Sequence, residues 1–258
     1  MAPPPLTIPS LLEADREAIY AMLEPCLDLE ARPTGERIEA GASKLFGAPF
    51  LPPGTSWPRG PEGEPMLFVA QLDLATLAPR STAAAARLPA AGMLSLFCDL
   101  GALPSGLDAA ERRAIQLIWT PAPLECAPVE PVLSPGSIEP HERALRAVQR
   151  WRLPSEVDQR FLLGHRDEER YEAYRALRED LAPPAGHQLL GPAEWLEEDP
   201  RRVITHPQGA RWRLLWQVSG EPELSDGWGD DVRIYLLLDE QDLAAHRFER
   251  YIAVAQCP

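Results

Sequence analysis

A chain of 258 residues with 45% hydrophobic side chains is long enough, and apolar enough, to bury one large core or two fused small ones. Its formal net charge of −14 argues against direct nucleic-acid binding, because phosphate backbones would be repelled. No run of about 18 apolar residues occurs, and the start MAPPPLTIPS lacks the pattern of a signal peptide. We therefore expect a cytoplasmic protein without a membrane span.

Side chains that commonly bind metals or act in catalysis are scattered along the sequence. The four cysteines and five histidines show no Cys-x-x-Cys, mixed Cys/His or His-x-x-x-His spacing, so the sequence predicts no zinc site. Neither Ser105-Gly106 nor Ser219-Gly220 belongs to a Gly-x-Ser-x-Gly elbow, and no phosphate-binding loop follows Gly54 or Gly60. We predict no catalytic residue, no cofactor and no metal.

The first predicted element is an amphipathic helix of about four turns over residues 10–29. It opens with a capping box made by Ser10 and Glu13, and its apolar residues recur at helical spacing until Pro25 bends or ends it.

Short apolar runs separated by proline and glycine then predict strands. In chain order they are LFGAPFLPPGTSWP, MLFVAQLDL, GMLSLFCDL, AIQLIWT, WRLLWQVSG, VRIYLLL and, after a short helix that follows Asp239, YIAVAQC.

A helical insert is predicted between these groups of strands, over about residues 139–182. A proline-rich extended connection over 121–140 leads into it. Helical patterns follow over 141–151 and 167–181, and in the second Tyr171, Tyr174, Leu177 and Leu181 share one face.

The strand-rich portions resemble each other, which predicts an internal duplication with a first unit over about 43–120 and a second over about 187–258. SKLFGAP matches HQLLGPA, LFVAQLD matches LLWQVSG with Gln71 opposite Gln217, and GMLSLF is matched with DVRIYL. Both glutamines lie in apolar strands, so we expect them to hydrogen-bond the backbone at equivalent places. The predicted fold is α+β: two repeated antiparallel-sheet units with flanking helices, packed as one globular body.

From about residue 43 onward the chain also resembles the bacterial YwqG-like family. The resemblance rests on five motifs in order: Gly47-x-Pro49, Trp57-Pro58, Gln71-Leu72-Asp73, Gly92-x-Leu94 and Trp228-Gly229-Asp230. One departure is Phe46, which stands where a glycine commonly precedes Gly47. The resemblance implies a single α+β domain without established enzymatic chemistry. Some members are similar to immunity proteins encoded beside polymorphic toxins, including DNase effectors of type VI secretion.

The most acidic segment runs from Glu221 to Asp242. It holds eight acids and one base, so its net charge is −8 + 1 = −7, half that of the protein. An EF-hand starting at Asp226 would need oxygen ligands where Trp228 and Leu237 stand, so that calcium site is excluded. A loose carboxylate site, a solvated turn between two strands and a surface for a basic partner remain open.

The charge density, together with the resemblance, favours a surface for a basic protein. We predict that the partner-binding residues are Asp226, Trp228, Asp230 and Asp231, with a second patch formed by Glu197, Glu198 and Asp199 beside Trp195.

The predicted function is that of an immunity protein, not an enzyme. It would bind and occlude a cognate basic toxin, and the expected toxin is a nuclease. One alternative is a small-molecule- or metal-binding enzyme with a pocket between the two repeats. Another is an adaptor with no toxin.

Overall fold

A computed structural model describes residues 2–99, 101–102, 104, 111–122, 125–134, 140–155, 168–183, 186–202, 204, 211–220 and 232–257. Within these ranges an antiparallel sheet of ten strands runs in the order β12-β11-β10-β9-β1-β8-β2-β4-β5-β6, and a two-stranded sheet pairs β3 with β7. The architecture is α+β, as predicted, and forms one globular body in which the large sheet is nearly closed.

The strands are β1 Glu24–Ala31, β2 Lys44–Leu45, β3 Phe50–Leu51, β4 Leu67–Asp73, β5 Gly92–Cys98, β6 Ile115–Pro121, β7 Ala127–Pro128, β8 Arg143–Arg152, β9 Gln188–Leu189, β10 Trp212–Ser219, β11 Arg233–Asp239 and β12 Ile252–Gln256. The α-helices are α1 Arg16–Met22, α2 Leu74–Leu77, α3 Thr82–Arg87, α4 Glu168–Leu181 and α5 Glu240–Ala244.

The N-terminal helix is shorter than predicted. It is a 3-10 helix over Ser10–Asp15 followed by α1, and residues 24–31 form β1 instead. The capping box is wrong, because the first turn has no side-chain cap and Glu13 pairs with Arg16 at 2.8 Å. The apolar residues of 24–31 go to the sheet because pairing with β8 buries them.

The prediction of the first helix in the insert is also wrong, whereas that of the second, α4, is confirmed. On its predicted apolar face Tyr174 and Leu177 are buried, but Tyr171 is 42% exposed. Residues 143–152 form β8, which pairs with the whole of β1, from Leu145 opposite Ala31 to Arg152 opposite Glu24. The arginine, alanine and leucine residues of this segment favour a helix in isolation. Sheet pairing and packing of Leu145 and Ala147 on the core override that preference.

In the first half of the sheet, Gln71 of β4 is fully buried. Its Oε1 accepts a hydrogen bond from Phe50 N at 2.9 Å, and its Nε2 donates to Ala42 O at 2.8 Å. Both polar ends of the amide are therefore satisfied by the backbone of the segment around β2.

The second half repeats this arrangement. Buried Gln217 of β10 accepts from Glu194 N at 2.9 Å and donates to Gly186 O at 3.3 Å. The expectation that the two glutamines bond the backbone at equivalent places is confirmed. This match supports the duplication.

The same unusual turn follows β2 and β9. Phe46 and Gly47 have φ of 55° and 68°, and Leu190 and Gly191 have φ of 61° and 75°. Left-handed backbone is costly for phenylalanine and leucine, and it persists here because both side chains are 1% exposed in the core.

The third sequence match needs a correction of one residue. Met93 pairs with Asp73, and Arg233 pairs with Ser219. Asp73 and Ser219 each lie two residues after a matched glutamine, so Met93 corresponds to Arg233. Matching GMLSLF with DVRIYL had placed it opposite Val232.

One hydrophobic core is shared by both halves of the sheet. Leu72 and Leu94 of the first half and Trp216 and Leu236 of the second belong to the same buried cluster. The two ends of the sheet approach each other through Tyr251, whose hydroxyl donates to Ile115 O at 2.7 Å. The shared core and this contact make the halves one rigid support for the loops.

Candidate functional site

The predicted contact residues Asp226, Trp228, Asp230 and Asp231 lie outside the described residues. The two residues that flank their segment are described. Gly220 N donates to Val232 O at 2.6 Å, directly after β10 and directly before β11. The chain therefore leaves and re-enters the sheet at one point.

The second predicted patch is held at the same end of the sheet by Gln256. Its Oε1 accepts from Leu196 N at 3.0 Å and Glu197 N at 3.2 Å, and its Nε2 donates to Glu198 O at 2.8 Å. Gln256 is paired in β12 with Arg233, the residue that follows Val232. Glu197 and Glu198, both exposed, thus lie at the end of the sheet where the acidic segment begins and ends.

Asp199 differs from these two glutamates. It is 8% exposed and binds the Arg201 side chain through both carboxylate oxygens, with the shortest contact 2.6 Å from Arg201 Nη2. Arg201 lies over the ring of Trp195 at 5.4 Å, and that ring packs on Tyr235 at 4.5 Å. Asp199 and Trp195 thus stabilise the loop that presents Glu197 and Glu198, and contact of Asp199 with a partner stays a prediction.

A buried ionic network, absent from the sequence-based predictions, lies on the other side of this loop. Arg152, only 2% exposed, donates from Nη2 to Asp28 Oδ2 at 2.6 Å and from Nε to Asp28 Oδ1 at 3.2 Å. Its Nη1 donates to Pro183 O at 2.7 Å and to Glu194 Oε1 at 3.4 Å. Burial by itself would lower the Arg152 pKa, but the hydrogen bonds and charge of Asp28 outweigh it and raise that pKa.

The same network anchors α4 and the second sheet unit. Arg178 of α4 donates to Glu194 Oε2 at 2.5 Å, and Tyr235 donates its hydroxyl proton to Glu194 O at 2.8 Å. An acidic residue inside the apolar run of β1 was the available sequence signal for Asp28. Its partner could not be found that way, because Arg152 lies 124 positions away. All of these charged groups are held by one another, which is a structural role.

Two of the thiols are unsuited to nucleophilic chemistry. Cys26 and Cys98 are buried, and burial raises the pKa of both well above the ordinary value for cysteine, so neither forms thiolate at neutral pH. Burial also raises the pKa of Cys126, whose side chain is partly accessible, and Cys257 is exposed.

We therefore expect Ellman's reagent at pH 8 to label Cys257 rapidly, Cys126 more slowly, and Cys26 and Cys98 only after denaturation. Peptide mapping by mass spectrometry identifies the labelled residues. Rapid labelling of native Cys26 would contradict its burial next to Asp28.

In the described ranges, no group of three or more His, Cys, Asp or Glu residues is arranged to hold a metal ion. No helix in those ranges has the length and apolar character needed to cross a membrane.

Comparison with known families matches residues 43–257 to the domain of unknown function DUF1963. The chain belongs to this family. DUF1963 is associated with YwqG-like proteins, which agrees with the resemblance seen in the motifs. No curated protein gives a significant match. The DUF1963 region begins beside β2 and ends after β12, so it takes in the strands β2 to β12 and α4 but leaves out α1 and β1.

Proposed function

We propose that this DUF1963 protein is an immunity protein that neutralises a cognate antibacterial toxin, in particular a basic nuclease effector of type VI secretion, by occluding it. The toxin would dock on the acidic end of the sheet, defined as the segment 221–231 together with Glu197 and Glu198. The protein would act by binding, without a reaction of its own.

The observation that carries this proposal is the position of Glu197 and Glu198. Gln256 holds them at the end of the sheet where Gly220 and Val232 bound the acidic segment. That segment adds five acids and no base, namely Glu221, Glu223, Asp226, Asp230 and Asp231. Neither exposed glutamate takes part in a salt bridge among the described residues. Glu197 Oε1 accepts a hydrogen bond from Cys257 N at 3.2 Å, but no described cation neutralises either carboxylate, so their charge can attract a basic partner.

A surface of this kind favours a cationic protein. Unneutralised carboxylates raise the rate of encounter with a basic partner and disfavour acidic ones. Gln256 and the backbone around it hold Glu197 and Glu198 in place, so binding of a partner to these two residues costs little conformational entropy. A nuclease cleft is basic because it must hold phosphates, and it matches such a surface.

The test is binding of the protein encoded directly upstream of this gene. We expect the two to co-purify in a fixed ratio and co-expression to restore growth. Replacing Asp226, Asp230 and Asp231 by asparagine should raise the dissociation constant about tenfold or more, mainly through a slower association rate at low salt. Surface plasmon resonance at two ionic strengths measures both the dissociation constant and the association rate.

The matched control removes three exposed acids elsewhere, as Glu17→Gln, Glu62→Gln and Glu249→Gln. It changes the net charge of the protein equally, so we expect less than a twofold effect. Equal losses of affinity in both triple variants would show that the overall charge of the protein, and not this surface, causes the effect. Failure of the neighbouring protein to bind at all would overturn the proposed function.

A further inference from the structure

A groove of about 450 Å³ lies beside the central strands β1 and β8. The residues that line it are distant in the sequence from those of the acidic surface. Leu77 contributes from the end of α2, and Leu145 and Ala147 contribute from β8. These three residues pack on the shared core and give the groove an apolar base. Its volume is that of a site for a small organic molecule.

The rim of this groove is basic, although the protein is strongly acidic. Its charged residues are Arg32, Arg37, Arg80, Arg146, Glu36 and Glu39, so four arginines face two glutamates. The net charge of the rim is 4 − 2 = +2, in a chain whose net charge is −14.

Three of the arginines are not neutralised by any described residue. Arg32 pairs with Glu36 at 3.1 Å, and both side chains are more than 40% exposed. Arg37, Arg80 and Arg146 make no salt bridge with any described residue, and all three are exposed. They come from three different parts of the chain: the loop after β1, the 3-10 helix after α2, and β8.

Like charges gathered from separate elements repel one another unless an anion lies between them. The guanidinium group has a planar set of donors that fits phosphate oxygens in pairs, which makes arginine well suited to a phosphorylated ligand. The apolar base can contact an uncharged part of the same molecule. Long nucleic acids are disfavoured, because the rest of the surface repels them.

We propose that this groove binds a small phosphorylated molecule, with its phosphate groups held by Arg37, Arg80 and Arg146. The site is separate from the proposed toxin-binding surface and does not depend on it. The groove lies on the first-unit side of the central strand pair, and not between the two repeats, where the enzyme alternative placed its pocket.

The experiment is isothermal titration calorimetry of the full chain without added metal, using ADP, pyrophosphate and adenosine as probes. We expect ADP and pyrophosphate to bind with dissociation constants between about 1 µM and 1 mM, and adenosine to give no measurable heat. Raising the salt concentration from about 50 mM to about 300 mM should weaken both. Absence of binding by ADP and pyrophosphate at about 1 mM, or equal binding of adenosine, would overturn the proposal.

The variant Arg80→Gln/Arg146→Gln should raise the dissociation constant of ADP at least tenfold. The control Arg16→Gln/Arg211→Gln removes the same charge from two arginines outside the groove, so it should change the constant less than twofold. All four side chains lie on the surface, and thermal unfolding of both double variants should match that of the parent. Equal weakening in both variants would show a general charge effect and would overturn the assignment to this groove.

Discussion

Replacing Arg152 by alanine is expected to lower the free energy of unfolding by about 3–5 kcal/mol. The substitution leaves the carboxylate of Asp28, which is 7% exposed, without its two guanidinium hydrogen bonds. It also removes the contact with Glu194 that helps to connect β8 to the second sheet unit. Urea denaturation followed by circular dichroism measures the change.

The control for this prediction is Arg211→Ala. The Arg211 side chain is 79% exposed and lies 3.9 Å from Glu240, so its loss should cost less than about 0.5 kcal/mol. In the Arg152→Ala background, Asp28→Asn should cost much less than it does in the parent, because the carboxylate has lost its hydrogen-bonded guanidinium and keeps only Arg150, 3.7 Å away. A cost below about 1 kcal/mol for Arg152→Ala would mean that water reaches Asp28.

The second large effect is expected for Gly191→Ala. The residue has a φ of +75°, and a methyl group there would lie 2.7 Å from Cys26 Cβ. The left-handed backbone costs about 1–2 kcal/mol for a residue with a side chain, and forced overpacking adds about 1–3 kcal/mol. We expect a loss of about 3 kcal/mol in the free energy of unfolding, again measured in urea.

Gly54→Ala separates these two contributions. Gly54 has a φ of +81° and no atom within 4 Å of the new methyl group, so only the backbone contribution of about 1–2 kcal/mol remains. Cys26→Gly removes the atom in the collision, so Gly191→Ala should cost less in the Cys26→Gly background than in the parent. If Gly191→Ala and Gly54→Ala cost the same, the turn can open away from β1 at no energetic cost.

The two predictions concern the same pair of strands, β1 and β8. Cys26 and Asp28 lie on β1, and Arg152 lies on β8, so both substitutions disturb the central pair that joins the two sheet units. If the halves fold as one cooperative body, both variants should unfold in a single transition. The basic groove lies beside this same pair.

Local patterns in the sequence were sufficient for much of the fold. Apolar runs bounded by proline and glycine correctly predicted β4, β5, β10 and β11, and the 3.6-residue spacing over 167–181 predicted α4. The repeated Gly and Gln positions were enough to predict the matching hydrogen bonds of Gln71 and Gln217. Such features depend on neighbouring residues, so a single sequence contains them.

The sequence also located the acidic segment 221–231 and the exposed Glu197 and Glu198, although it could not separate these two glutamates from Asp199. Asp199 has the same charge and lies in the same loop. Its pairing with Arg201 and its burial depend on how the loop packs against Trp195, which composition does not reveal.

Contacts between distant parts of the chain decided the rest. Residues 143–152 have helix-forming side chains, yet they form a strand because β1 lies beside them and the core takes up Leu145 and Ala147. The ionic network of Arg152 and the arginine groove likewise combine residues that are far apart in sequence. Short-range propensities amount to a few tenths of a kcal/mol per residue, so burial and pairing of a whole strand outweigh them. That balance of energies can be evaluated only when the folded neighbours are known.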